Sequence, residues 1–154
     1  VADYTIVVKG GEEAVEALAN EANIYPGHLM DLLSTGKVQM NDTVAQPIER
    51  IVAIEDYLQG NDIANAYTNG ERVSMRKFLP NDVALLVLAD GENVAIGDYV
   101  EPTTGGEVKK LAVNSDGVTV TNKAAVLGVA VTAVDASDSA TTALASRRIK
   151  IRFV

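Results

Sequence analysis

Residues 87–102 read VLADGENVAIGDYVEP. Two glycine–carboxylate pairs, Asp90-Gly91 and Gly97-Asp98, lie a few residues apart, with the apolar run Val94-Ala95-Ile96 ahead of the second. Acidic loops next to glycine either hold a cation or reverse the chain, and the choice between these decides the fold. A calcium loop needs about six to eight oxygens in one tight turn. Here Gly91 follows Asp90 at once and an apolar run intervenes, so no such ligand ladder exists. Turn chemistry is the better reading: Asp90-Gly91 turns one hairpin and Gly97-Asp98 the next.

The same punctuation runs along the chain. Gly27, Gly36, Gly60, Gly70, Asn81-Asp82, Gly91, Gly97, Gly105-Gly106, Gly117 and Gly128 recur at short intervals, as in all-β sandwiches and barrels. The segments between them suit strands. Tyr4 to Val8 is β-branched. His28 to Ser34 and Lys37 to Met40 read as a hairpin about Gly36, and Ile48 to Ile54 follows. Asn69-Gly70 is a type I′ hairpin signal. Val83 to Leu88 is an apolar run that predicts a strand covered on both faces. Asp116-Gly117 and the alternating Val118 to Thr121 add a further turn and strand. VLGVAVTAV, 126–134, is interrupted by Gly128, which predicts a bulge or bend there.

One stretch favours helix. Val15, Leu18, Ala19 and Ala22 fall at i, i+3, i+4 and i+7, with Glu12, Glu13, Glu16 and Asn20 facing away. The rival is an extended arm, bracketed by Gly10-Gly11 and Pro26-Gly27. Residues 135–146 read as a polar loop. The expectation is one domain over 1–154: an N-terminal arm or short helix, 1–23, and a β-rich body, 24–154. At 154 residues folding buries roughly 70% of the unfolded chain's surface, so no covalent staple is needed.

Composition narrows the chemistry. The chain has no Cys, which removes disulfides, thiolate nucleophiles and thiolate metal sites. His28 is the sole histidine. Next to Pro26-Gly27 it reads as a structural residue in a turn leading to a strand. Walker, nucleophile-elbow and EF-hand patterns are missing, and the absence of Trp argues against sugar stacking. The expectation is a non-enzyme without cofactor or metal. Asn41-Asp42-Thr43 matches a glycosylation sequon and reads as chance.

Net charge is −8, which opposes nucleic-acid binding. Residues 147–152 nevertheless hold four of the thirteen cations and no acid, leaving nine cations and twenty-one acids, −12, in residues 1–146. In RRIKIRF, alternation puts Ile149, Ile151 and Phe153 on one face and Arg148, Lys150 and Arg152 on the other. That face is either a solvated surface or charged edge strand, or a docking surface for an acidic partner. No segment has the ~18–20 apolar residues of a membrane span, and the first residues do not read as a signal peptide. The chain is expected to be made and used in a cytoplasm or an assembly within it.

Two resemblances bear on function. Asn122-Lys123-Ala124, with Ile96 to Val100, resembles the lysine turn of lipoyl and biotinyl carriers, which leaves a β-barrel carrier or ligand-binding domain as the alternative. The broader likeness runs from about residue 24 to the end. YPGHL (25–29), AIEDYLQG (53–60), AYTNGERV (66–73), GENVAIGDYVE (91–101) and GVAV (128–131), with the basic last strand, resemble tailed-bacteriophage capsid decoration (cement) proteins. That resemblance implies a β-tulip body and trimers on the outer capsid at threefold and quasi-threefold positions. It implies that they bridge major capsid protein subunits and stabilise the expanded shell, without catalytic residues. Arg148, Lys150, Arg152 and residues 1–23 are then the expected contacts.

Overall fold

Val83–Val87 forms the buried spine that its composition predicts. Ala84, Leu85, Leu86 and Val87 are all buried, so both faces of this strand are covered. The computed structural model describes residues 5–44, 46–112, 125–138 and 143–154. In chain order its strands are β1 (Val7–Lys9), β2 (Glu13–Leu18), β3 (Met30–Leu32), β4 (Val38–Met40), β5 (Ile51–Ala53), β6 (Arg72–Lys77), β7 (Val83–Val87), β8 (Asn93–Val94), β9 (Tyr99–Pro102), β10 (Val108–Lys110), β11 (Gly128–Ala130), β12 (Val134–Asp135) and β13 (Arg148–Phe153).

The fold is mainly β. A six-stranded sheet runs β1-β7-β13-β11-β9-β10, a three-stranded sheet runs β2-β6-β5, and β3-β4 and β8-β12 form two-stranded ribbons. These named pairings are antiparallel. The six-stranded sheet ends at β1 and β10, so among the described residues no barrel closes.

The predicted N-terminal helix is a strand. Glu13–Leu18 pairs with β6, setting Val15 opposite Met75 and Ala17 opposite Val73. Ala17 and Ala19 are buried, while Leu18, which a helical stripe would bury, is 45% exposed. Alternation by two therefore wins over a period of 3.6. A helix of about three turns is marginal alone in water, whereas pairing with β6 satisfies the backbone and buries Val73 and Met75. Gly10 and Gly11, both at positive φ, carry the chain from β1 in one sheet to β2 in another. Nor is the described part of 1–23 a detached arm, since β1 and β2 belong to the two larger sheets.

Several turn readings also change. Asp90-Gly91 and Gly97-Asp98 do turn the chain, with Glu92 N–H donating to Ala89 O and Asp98 N–H to Ala95 O. Neither closes a hairpin, because β8 pairs with β12 and β9 with β10 and β11. In the Thr68–Glu71 turn only Gly70 takes positive φ, so the turn is not type I′. Gly128 lies within β11 instead of bending it. A Cβ there would stand 2.5 Å from Arg152 O, so glycine serves a close approach of two backbones. The break in that apolar run comes after Ala130. The β3–β4 hairpin forms as predicted. Within 135–146, Asp135 is in β12 and a 3₁₀ turn spans Leu144–Arg147. Asp116-Gly117, Val118 to Thr121 and the Asn122-Lys123-Ala124 carrier motif lie outside the described residues.

Two apolar cores meet at β5. The larger gathers Ile6, Phe78, Leu86, Val100, Ile149 and Phe153, and the smaller gathers Ile24, Met30, Val38, Tyr67, Val73 and Met75. Val52 faces the first, Ile51 and Ala53 the second. The chain's two Phe residues, Phe78 and Phe153, stack at 5.1 Å. Among the described residues no helix is long and apolar enough to cross a membrane.

Candidate interaction surface on the C-terminal strand

The alternation read in RIKIRF is realised. Ile149, Ile151 and Phe153 are fully buried, and Arg148, Lys150 and Arg152 take the opposite face. β13 is an interior strand between β7 and β11, so its cations do not protect an edge. The three cations differ in what holds them. Arg148 is drawn inward: Nη1 donates to Pro26 O at 2.7 Å and Nη2 to Ile63 O at 2.6 Å. It thereby ties the 25–28 turn and the 63 loop over Val87, while Glu55 supplies a favourable charge. Lys150 is half-buried, and its backbone N–H donates to Thr132 Oγ1. Arg152 is exposed. Next to the strand, Arg147 pairs with Glu107 and donates to Leu88 O at 2.7 Å.

Strand register builds a band around Arg152. Tyr99 lies opposite Val129, Val129 opposite Arg152, and Arg152 opposite Val83. Register partners share a face, so these four side chains cross β9, β11, β13 and β7 in one row. Tyr99 is exposed, Val129 and Val83 are half-buried, and the exposed Ile96 and Val131 flank the row through the Gly97 N–H to Ala130 O bond. Reading the sequence alone located the cations and missed this apolar company. Tyr99 was visible only as a strand residue, and no local pattern says that β9 sits two strands from β13.

The carboxylates of the opening stretch are structural. Asp98 Oδ2 accepts from Ala95 N–H at 2.9 Å and pairs with Lys110 at 2.8 Å, which holds its carboxyl below the usual range. Glu92 accepts from Lys110 N–H at 3.0 Å. Among the described residues no cluster of three or more carboxylate or imidazole groups could hold a metal. Glu101 is buried with Lys109 Nζ at 3.3 Å. Its Oε1 makes no hydrogen bond, so that contact is a charge pair only.

His28 and Asn41 brace the same region from inside. His28 Nδ1 accepts from Tyr25 N–H at 3.1 Å. Burial, then the nearby Arg148 and Arg147 charges, lowers its pKa to about 4 and keeps it neutral. Asn41 is fully buried, donating to Thr43 O and Thr103 O. An oligosaccharide on this asparagine is incompatible with the fold.

No protein-family model matches the chain, and no curated protein sequence does. Among solved structures, the head fiber gp8.5 N base of bacteriophage phi29 is similar, with a TM-score of 0.53 and 10% identity over 92% of this chain and 93% of that one. At that identity the likeness is one of fold.

Proposed function

We propose that this chain is a structural protein of a tailed-phage head: a decoration protein on the outer surface, bridging major capsid protein subunits of the expanded shell. The observation that supports this most is the fold shared along nearly the whole of both chains with a phage head fiber base. The ordered motifs quoted above agree with it. A protein that binds only the expanded shell stabilises that state by mass action. Self-association, as a trimer in the resemblance, multiplies weak contacts into avidity. Arg152 and Lys150 are the cations we assign to a capsid or subunit contact, whereas Arg148 contributes by fixing the loops beside them.

Purified heads of the encoding phage provide the test. Mass spectrometry and a density map are expected to find the chain in many copies on the outer surface. Heads stripped of it are expected to lose DNA at a lower temperature, and added protein to restore them. Its absence from purified heads would overturn the reading.

A further inference from the structure

Asn69-Gly70 is the one place in the chain where asparagine precedes glycine. The turn uses the pair for its shape, but the pair also has a chemistry. The backbone nitrogen that follows an asparagine can attack that asparagine's side-chain carbonyl, and glycine, with no Cβ, leaves this nitrogen open to approach. Asn69 and Gly70 are both exposed, and a Cβ at Gly70 would meet nothing within 4 Å. Solvent reaches the pair, and nothing crowds a five-membered ring there.

The attacking nitrogen is nevertheless engaged. Gly70 N–H donates to Ala19 O at 3.0 Å, and Ala19 N–H donates to Glu71 O at 2.7 Å. These two bonds continue the β2–β6 ladder one step past the pair Leu18 and Arg72. Ala19 is fully buried, so water does not compete for its carbonyl while β2 stays paired. The turn is also closed across its base. Glu71 N–H donates to Thr68 O at 3.1 Å, and Thr68 N–H donates to Glu71 Oε2 at 2.6 Å.

We infer that Asn69 is a latent deamidation site, held back by the pairing of β2 with β6. When the end of β2 lifts, Gly70 N gives its proton to hydroxide and bonds to Asn69 Cγ. Ammonia leaves, taking a proton from water. Water then opens the succinimide at either carbonyl, which gives aspartate or isoaspartate at position 69. No oxidant or reductant takes part. Either product sets a carboxylate near Glu71, and isoaspartate adds a methylene to the main chain within the turn. The change accumulates, so it records how often the end of β2 opens. It is independent of the head reading.

Peptide mapping by mass spectrometry tests this on the full chain, aged at mildly alkaline pH both folded and in denaturant. In denaturant Asn69 is expected to deamidate fastest of the asparagines. In the fold it should react at least about tenfold more slowly, because local opening must come first. Hydrogen exchange at the Gly70 amide supplies a second measure, since exchange and attack both need the N–H free of Ala19 O. Relative to denaturant, the two should be slowed to within about threefold of each other. Ala17→Gly loosens β2 without touching the turn, and is expected to speed the folded-state reaction about threefold or more while leaving the rate in denaturant unchanged. Equal rates in the fold and in denaturant, a protected Gly70 amide beside an unprotected Asn69, or a folded-state rate unmoved by Ala17→Gly would overturn the inference.

Discussion

At the scale of single residues, His28 gives the fold an acid limit. Its pKa lies near 4 in the fold, against about 6.5 in an unfolded chain. Between those values the unfolded state binds a proton that the folded state refuses, so stability falls as pH drops from about 6.5 towards 4 and levels off below. The loss is about 3 kcal/mol. His28→Gln should flatten that part of the profile by about one proton in denaturation experiments across this range. A slope unchanged by the substitution would show that carboxylates alone set it. Gly128 offers a second residue-scale check. Gly128→Ala pushes a methyl group against Arg152 O and Ile151 Cγ2, both 2.5 Å from its Cβ position, and is expected to cost about 1–3 kcal/mol. Gly36, with open space around its Cβ position, would show only the backbone penalty of its positive φ.

At the scale of elements, β13 separates cations that look equivalent in sequence. Arg148→Met strands the carbonyls of Pro26 and Ile63 beneath a loop and should cost on the order of 2–4 kcal/mol. Arg152→Met should stay within about 0.5 kcal/mol of wild type, measured by chemical denaturation of dilute protein. Equal effects would contradict the inward clamp. β2 makes a different point. Deleting residues 1–23 removes two strands and uncovers Val73 and Met75, so the truncated chain is expected to lose cooperative folding in circular dichroism melts. Truncation therefore cannot isolate a contact role for this segment, and surface substitutions such as Glu16→Lys are the proper probe. The misread period has a physical origin. Val15, Leu18, Ala19 and Ala22 satisfy a helical stripe, while Val15, Ala17 and Ala19 satisfy a strand equally well. Only the partner β6, over fifty residues away in sequence, chooses between them.

At the scale of the whole molecule, the two cores are coupled through one strand. Ile51 and Ala53 point to the smaller core, and Val52 and Ile54 to the larger. His28 O accepts from Ala53 N–H and Ala53 O accepts from Gly27 N–H, which locks β5 to the turn under Arg148. Cavities on opposite sides of β5 should therefore lower one common transition. Ile51→Ala and Val52→Ala are each expected to cost about 2–4 kcal/mol, with a calorimetric enthalpy equal to the van't Hoff value. Two separated transitions would mean that the sheets unfold independently.

Local chemistry by itself determined that this is a β protein, where the chain turns, that the run Val83 to Leu88 is a strand covered on both faces, and which face of the last strand carries charge. Those features depend on φ preference, alternation and composition, and all of these act within a few residues. Tertiary structure alone decided that residues 13–18 are extended, that the glycine–carboxylate turns do not close hairpins, that Arg148 turns inward while Arg152 stays out, and that Tyr99 shares a row with Arg152 two strands away. Each of these depends on which distant strand supplies the hydrogen bonds and the covering surface, and that pairing is set by the burial of two shared cores.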